Sequence, residues 1–525
     1  MRMRNEKLEL RNAGERRAAP AERAEKREWR DKGGERRDRK SFAPRNDRND
    51  RNDRDGGGKR FNSAPRSPKP AEKMDARSVA FEALSEFLIK GNDIEAAVDR
   101  LFDKKDFITK LPLISPTEKR LAYEIIYGVL RNKSRLEFAV DKYLAEPVQK
   151  EEWLKIILII GAYQILFLTK IPDFAAVNES VNLCKKHAKT GKFSDLTNAV
   201  LRKLIADKKT ALEIPSKLSF AEKIALEYSH PLWLVEKWIG QFGKTPTQKI
   251  LEYNNKMPDI FIRRNSSSIG QKKFEAMIAK NCANNVAKPI GFNGLYYRLK
   301  AGERFEKSDM FLSGLCTIQA PSSGWVVALL GVENGKSVLD LCAAPGGKTT
   351  LISEISPDSH ILAADINFNR ARMISDTLKR LLLKSVDVVV SDGKNFAPTQ
   401  KFDYVLIDAP CSGTGVINHN PEARWVRDMS AIERAAQKQK EILQNAANLV
   451  DVGGIIVYST CSLENEENRG VVEAFLAANP NFKLSPANSK ITDKDILSSN
   501  GDFVEITPNK NNADTIFAAR FERVG

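Results

Sequence analysis

A chain of 525 residues is long enough for roughly two to four domains with buried cores. Its formal net charge is +16, and residues 1–70, with 23 Lys and Arg against 13 Asp and Glu, hold +10 of it. The longest apolar run, Ile156 to Leu168, contains Gln164 and is too short to span a bilayer, so no membrane association is expected. Six cysteines in no paired framework point to a reducing cytoplasm, and four separated histidines with no Cys-x-x-Cys give no expectation of a metal site.

Residues 1–73 are rich in Arg, Asp, Gly and Asn and almost free of aliphatic side chains. They cannot bury enough apolar surface to offset ordering entropy, so a disordered basic tail is expected. Such a tail meets nucleic-acid phosphates or simply keeps the chain soluble. Charge without an apolar core at the N-terminus argues against a signal peptide.

Residues 74–207 carry apolar side chains at three-to-four spacing over Ala76–Leu88, Glu118–Arg131, Glu152–Thr169 and Phe174–Lys186, which predicts an all-α domain. Pro112, Pro116, Pro147 and Pro172 punctuate it. Residues 208–305 read as a small α+β connector. It has a Trp-containing helix at Leu232–Phe242, strands at Ile260–Arg263 and Leu295–Leu299, and a helix at Lys272–Lys280. Within residues 306–525 the rhythm becomes strand, loop, helix. Strands are predicted at Ser337–Leu341, His360–Ala364, Val386–Val390, Phe402–Ile407 and Gly454–Tyr458, with helices at Asn369–Leu383 and Ser430–Leu449. The expected fold class is α/β, a doubly wound and mostly parallel sheet with helices on both faces. Phe503–Ile506 and Thr515–Phe521 add a hairpin-like edge.

Ligands on such sheets bind outside the carboxyl ends of the strands. The first strand runs into Asp340-Leu-Cys-Ala-Ala-Pro-Gly-Gly-Lys348-Thr-Thr, a Gly-rich turn that lets a ligand approach backbone amides and a helix N-terminus. A phosphate-binding loop would need Gly where Cys342 stands, and the dinucleotide fingerprint G-x-G-x-x-G is absent. S-adenosylmethionine is the third possibility. Asp365, at the next strand exit, stands where a carboxylate holds ribose hydroxyls, and Asp392 follows the third strand, near an adenine. One such Asp is commonly a cap or turn residue. Several at successive strand ends, Asp408 included, point to a ligand.

The fourth strand ends in Asp408-Ala-Pro-Cys411 and the fifth in Ser459-Thr-Cys461-Ser462, followed by Glu464, Glu466 and Glu467. The two thiols lie far apart in sequence, on successive strand exits of one sheet, so they are expected to face one pocket. Disulfide pairing and inert burial are the competing readings. Cys184, Cys282 and Cys316 lack such a setting and read as packing residues. Two thiols beside a methyl donor suit one reaction. A thiolate adds to carbon 6 of a pyrimidine, carbon 5 becomes nucleophilic enough to take a methyl group, and loss of the carbon-5 proton expels the thiol. A carboxylate at the ring nitrogen and amino group stabilises charge in the adduct. The residues alone do not say which cysteine is the nucleophile.

DLCAAPGGKTT, DAPCSGTG followed by NPEARW, and YSTCSLENEEN together resemble the motifs of the Sun/RsmB-type RNA cytosine-C5 methyltransferases. The resemblance covers nearly everything after residue 74. It implies a NusB-like RNA-binding domain over residues 74–207, a small intermediate domain over 208–305 and a Rossmann-like class I methyltransferase domain over 306–525. It implies Cys461 as nucleophile and Cys411 as the cysteine that assists release. Cys342, Ala343, Ala344, Pro345, Gly346, Gly347 and Lys348, with Asp365, Asp392 and Asp408, match cofactor-contact positions. Asp408 and Lys348 also match positions beside the cytosine. Gln319-Ala320-Pro321-Ser322-Ser323 falls where relatives usually carry Gln-Asp-Pro-Ala-Ser. The implied activity is S-adenosylmethionine-dependent formation of 5-methylcytosine in small-subunit (16S) rRNA. The same chemistry on tRNA or another RNA, and a non-catalytic RNA-binding role in ribosome assembly or antitermination, are the alternatives. Lys185, Lys186, Lys189, Arg202 and Lys203 offer basic surface for RNA phosphates, or an ordinary solvated helix face.

Overall fold

The computed structural model describes residues 74–104, 113–144, 151–188, 191–282, 288–300 and 305–525. The basic tail expected over residues 1–73 lies outside the described residues, as do Pro112, Pro147 and Lys189. Among the described residues no helix is long and apolar enough to cross a membrane.

The helical part comprises α1 (Ala76–Leu88), α2 (Ile94–Phe102), α3 (Pro116–Asp141), α4 (Glu152–Phe167), α5 (Asp173–His187) and α6 (Lys192–Ala206). Asp75, Asp93 and Ser115 accept the first free amides of α1, α2 and α3, and Pro116 sits in the first turn of α3. α4 is the apolar run, buried against the other helices. Its polar member is satisfied in place: Gln164 donates to the Ile160 carbonyl at 3.1 Å and accepts from Arg77 Nε at 3.0 Å. The helix predicted over Glu118–Arg131 continues to Asp141 through a non-helical Asn132, because Leu136, Ala139 and Val140 extend its buried face. α2 and α6 lie within the expected all-α domain, outside the four segments with three-to-four apolar spacing.

The connector contains α7 (Phe220–Glu227), α8 (Leu232–Phe242), α9 (Lys244–Asn254), β1 (Phe261–Arg264), α10 (Gln271–Ile278), β2 (Tyr296–Arg298), α11 (Asp309–Leu312) and β3 (Cys316–Ile318). β1 lies between β2 and β3, antiparallel to both. The third strand of this sheet therefore comes from beyond residue 305.

The α/β part continues with α12 (Pro321–Leu330), β4 (Ser337–Asp340), α13 (Gly347–Ile355), β5 (His360–Asp365), α14 (Phe368–Leu381), β6 (Val386–Val390), β7 (Phe402–Asp408), α15 (Ala423–Val426), α16 (Met429–Leu449), β8 (Val450–Thr460), α17 (Arg469–Ala478), β9 (Phe482–Leu484), β10 (Val504–Ile506) and β11 (Ile516–Arg523). The sheet order is β10-β11-β8-β7-β4-β5-β6, with β9 pairing β11. β4 to β8 are mutually parallel where they pair, and β11 runs antiparallel to β8, β9 and β10. The chain winds outward from β4 to β6, then returns to the other side of β4 as β7. Strand order reverses there, which places the crevice at the carboxyl ends of β4 and β7. Register carries Asp340 beside Leu406 and Asp408 beside Ser459, so the chemistry-bearing ends of β4, β7 and β8 share one edge. Separate apolar layers cover the two faces, one including Leu339, Val405, Ile456 and Leu443, the other Val338, Leu406, Val457 and Leu351. Alternate side chains of each strand enter opposite layers, as a doubly covered sheet requires.

Candidate active site

The Gly-rich loop leaves β4 at Asp340 and enters α13 at Gly347. Gly346 has φ of +98°, a conformation that disfavours a side chain. Asp340 is buried. Its Oδ2 accepts from Thr349 Oγ1 at 2.6 Å, while Oδ1 has no protein partner. Burial pushes its carboxyl up to about 7, against the Thr349 hydrogen bond, and the charge of Asp408 raises it further. Asp365 closes β5. It accepts from Ala344 N at 3.3 Å and Asn367 N at 3.0 Å, and the Arg370 guanidinium lies 3.5 Å from it. Asp392 accepts from Lys394 N at 3.1 Å, so one of its oxygens shapes a local turn. Ala343 and Ala344 are buried and small, and burial holds the neighbouring Cys342 thiol well above its usual range. An unpaired buried carboxylate oxygen on a small-residue cradle at a topological switch point fits the amino-acid end of S-adenosylmethionine.

Lys348, on the first turn of α13, reaches across the crevice to Asp408 Oδ2 at 2.6 Å. Ser459 Oγ, one strand over, donates to Asp408 Oδ1 at 2.8 Å. Both carboxylate oxygens of Asp408 are thereby oriented. Cys411 and Cys461 meet with their sulfurs 2.9 Å apart. The hydrogen bond to Cys461 and then burial push the Cys411 thiol well above its usual range, and the charge of Glu467 adds to this. The two loops approach this closely because position 415 has no side chain. Gly415 N donates to the Cys461 carbonyl at 3.1 Å, and a Cβ there would lie 2.5 Å from that carbonyl oxygen and 2.3 Å from Thr515 Cβ.

The acidic run after Cys461 is anchored in two directions. Glu464 accepts from the buried Trp238 indole at 3.0 Å and lies 3.3 Å from Lys237. Glu466 pairs with the same lysine at 2.7 Å. Burial raises the Glu464 carboxyl, with Lys237 and Trp238 opposing. Both tie the Cys461 loop to α8 of the connector. Glu467 turns inward to the Cys411 loop instead, accepting from Ser412 N at 2.8 Å.

Arg424 and Trp425, which follow the Cys411 loop, dock the α/β part on the other two. Arg424 is fully buried and donates to Ser229 O at 3.0 Å, Asn255 Oδ1 at 2.9 Å and Asn254 O at 3.1 Å. Trp425 Nε1 donates to Leu130 O on α3 at 2.7 Å. β1 of the connector sends Arg263, also fully buried, into the base of the Gly-rich loop. It donates to Gly347 O at 2.8 Å, Gln319 Oε1 at 2.7 Å and Thr350 Oγ1 at 3.0 Å, and pairs with Glu354 at 2.6 Å.

The carboxyl ends of β4, β7 and β8 thus bring Lys348 to Asp408 and Cys411 to Cys461, with Asp365 bonded to the 342–348 loop. Asp340, Glu467 and Arg263 were not singled out from the sequence as site residues. Asp340 opens a quoted motif and Glu467 is the last acidic residue of another, so both were visible but undistinguished. Nothing in the local sequence marks Arg263, because its partners lie 56 to 91 positions away.

Residues 327–522 match the family described as 16S rRNA methyltransferase RsmB/F, residues 74–206 the NusB family, and residues 230–296 the ferredoxin-like domain of RsmF/B-like methyltransferases. Ribosomal RNA small subunit methyltransferase B of Klebsiella pneumoniae (strain 342) is 33% identical over 416 residues, covering 78% of this chain and 92% of the relative. The protein of the same name from Yersinia pestis bv. Antiqua (strain Angola) is 33% identical over 413 residues, covering 78% and 91%. Among solved structures, that of PH0851 superposes with a TM-score of 0.68 at 23% identity, covering 86% of this chain and 99% of the other. A methyltransferase homologue from Pyrococcus horikoshii gives 0.51 at 25% identity, covering 58% and 100%. These matches bear out the resemblance carried by the three motifs, the helical domain and the class I sheet. The chain belongs to the RsmB/F family of 16S rRNA methyltransferases.

Proposed function

We propose that this chain, an S-adenosylmethionine-dependent RNA methyltransferase, forms 5-methylcytosine in 16S rRNA through a covalent adduct between Cys461 and the base. S-adenosylmethionine, when bound, supplies an electrophilic methyl group. The 342–348 loop, with Asp340 and Asp365, holds it. Cys461 adds through its sulfur to carbon 6 of the cytosine, and carbon 5 becomes the nucleophile. Asp408, held by Lys348 and Ser459, faces the ring nitrogen and exocyclic amino group and stabilises the charge that develops there. Once carbon 5 carries the methyl group, the carbon-5 proton is lost to water, its bonding electrons restore the 5,6 double bond, and the carbon–sulfur bond breaks, with Cys411 assisting by donating a hydrogen bond to the departing Cys461 thiolate. The base must leave its stack to reach this crevice, which costs least in loops and bulges. Lys185, Lys186, Arg202 and Lys203, exposed on α5 and α6, suit the flanking phosphates. Reduced thiols of this kind belong in the cytoplasm.

The observation that carries this reading is the pair of thiols 2.9 Å apart at the ends of adjacent parallel strands, beside the Lys348–Asp408 pair. The test is methyl transfer from labelled S-adenosylmethionine to unmodified 16S rRNA, with the labelled nucleoside identified by mass spectrometry. Label in 5-methylcytidine is expected. Label in another nucleoside refutes the chemistry. Transfer to tRNA or an assembled particle but not to free 16S rRNA moves the substrate and keeps the chemistry.

A further inference from the structure

Glu467 is fully buried, and among the described residues no cation is paired with it. It accepts from the backbone N–H of Ser412 at 2.8 Å and from the Ser412 hydroxyl, from Ser462 Oγ at 2.6 Å, and from Gln439 Nε2 at 2.8 Å. Ser412 directly follows Cys411 and Ser462 directly follows Cys461. One carboxylate therefore grips the residue after each thiol. Gln439 extends the grip, since its Nε2 also donates to Pro410 O at 3.0 Å, on the other side of Cys411. The residues flanking Glu467 secure it. Asn468 donates to Ser462 O at 2.9 Å and accepts from Thr460 Oγ1 at 2.6 Å, and Tyr458 Oη donates to the Glu467 carbonyl at 2.6 Å.

A buried anion satisfied only by hydrogen-bond donors is costly to place, and ordinary packing would be served as well by an apolar side chain. A carboxylate offers two oxygens with about four acceptor sites in a fixed plane. That is what fixing two loops relative to one another requires. We infer that Glu467 is a positioning residue that clamps the Cys411 loop to the Cys461 loop, so that the releasing thiol stays in reach of the adduct its partner has formed. The inference rests on the roles proposed above for the two cysteines. In this arrangement loss of the clamp impairs release more than attack, because attack needs Cys461 alone and release needs both thiols in register.

The test uses the full chain with substrate RNA and labelled S-adenosylmethionine. Glu467→Gln keeps the shape but removes the charge and replaces one acceptor oxygen by an N–H₂ donor, so that the Ser412 and Ser462 hydroxyls must accept where they donated. Its kcat is expected to fall by about 10²-fold, as for a misplaced catalytic group, with KM for RNA changed less than about threefold. Adduct resistant to denaturing gel electrophoresis should accumulate. Ser412→Ala, which removes the hydroxyl next to Cys411, should accumulate adduct too, whereas Ser462→Ala, which removes the one next to Cys461, should slow its formation. These serine variants carry the test if Glu467→Gln does not fold. Wild-type kcat in Glu467→Gln, or equal effects of the two serine changes on adduct level, overturns the inference. Cys461→Ala is run alongside: adduct in that variant would sink the assignment of the nucleophile, which is a separate failure.

Discussion

At the residue scale the two thiols are chemically alike and are separated by their surroundings. The hydrogen bond to Cys461, burial and the Glu467 charge push the Cys411 thiol well above its usual range. The resulting prediction is asymmetric. Cys461→Ala should form no adduct and lose methyl transfer by on the order of 10³-fold or more, as for loss of a nucleophile. Cys411→Ala should form adduct and stall, with turnover down about 10²- to 10⁴-fold, the range for a lost proton-transfer group. Denaturing gels of enzyme mixed with RNA separate the two, and the reverse pattern would exchange the roles. Asp340 gives a second prediction at this scale. Its folded value of about 7 exceeds the ordinary aspartate value of about 3.9, so the folded state binds the proton more tightly than the unfolded state does. Its contribution to stability is therefore present below about pH 4 and lost as pH rises towards 7. Between pH 5 and pH 8, Asp340→Asn should gain about 3 kcal/mol relative to wild type, read from urea midpoints at the two pH values. A parallel response of both proteins would show that Asp340 does not titrate in this window.

At the scale of elements the connector acts as a brace. β1 delivers Arg263 to the Gly-rich loop, and α8 delivers Lys237 and Trp238 to the acidic run after Cys461. One small element set thus touches both the Gly-rich loop and the Cys461 loop. Arg263→Leu leaves Glu354 buried without its partner, which costs about 3–5 kcal/mol. It also removes the hydrogen bond to the Gly347 carbonyl. Calorimetry should show a lower Tm and weaker S-adenosylmethionine binding, and Arg263→Leu combined with Glu354→Leu should recover stability but not cofactor affinity. Recovery of both would reduce Arg263 to a packing role. The strand and helix centres of the α/β part were readable because apolar runs alternate with turn residues there. The ends were not: β8 extends from Val450 to Thr460, well beyond Gly454–Tyr458, because Phe402 of β7 pairs with Val450 and β11 pairs with Ile455 to Thr460, partners that local pattern does not reveal.

At the scale of the whole molecule, Arg424 and Trp425 explain a motif that chemistry left idle. They stand in the stretch NPEARW, after the Cys411 loop, yet their partners are Leu130 on α3 and Ser229, Asn254 and Asn255 in the connector. The helical domain is thus docked on the segment that follows Cys411. Arg424→Met removes several hydrogen bonds from a charged donor, each worth about 1.5–3 kcal/mol. It should split thermal unfolding into two transitions in scanning calorimetry and raise the Kd for RNA about tenfold, some 1.4 kcal/mol. Unchanged single-transition unfolding would mean that the remaining contacts suffice.

Sequence alone determined what depends on local order: helix periodicity over Ala76–Leu88 and Leu232–Phe242, the strand–loop–helix rhythm from Ser337, and reactive residue types at strand exits. Each follows from side-chain pattern and turn chemistry within a few positions. Only the tertiary structure decided which of those residues share a site. Cys411 and Cys461 meet because β7 and β8 are adjacent and in register, and Lys348 reaches Asp408 because strand order reverses between β4 and β7. Arg263, Glu467 and Arg424 acquire their roles from partners distant in the chain, and a buried polar group takes its meaning from the donors and acceptors that folding brings around it.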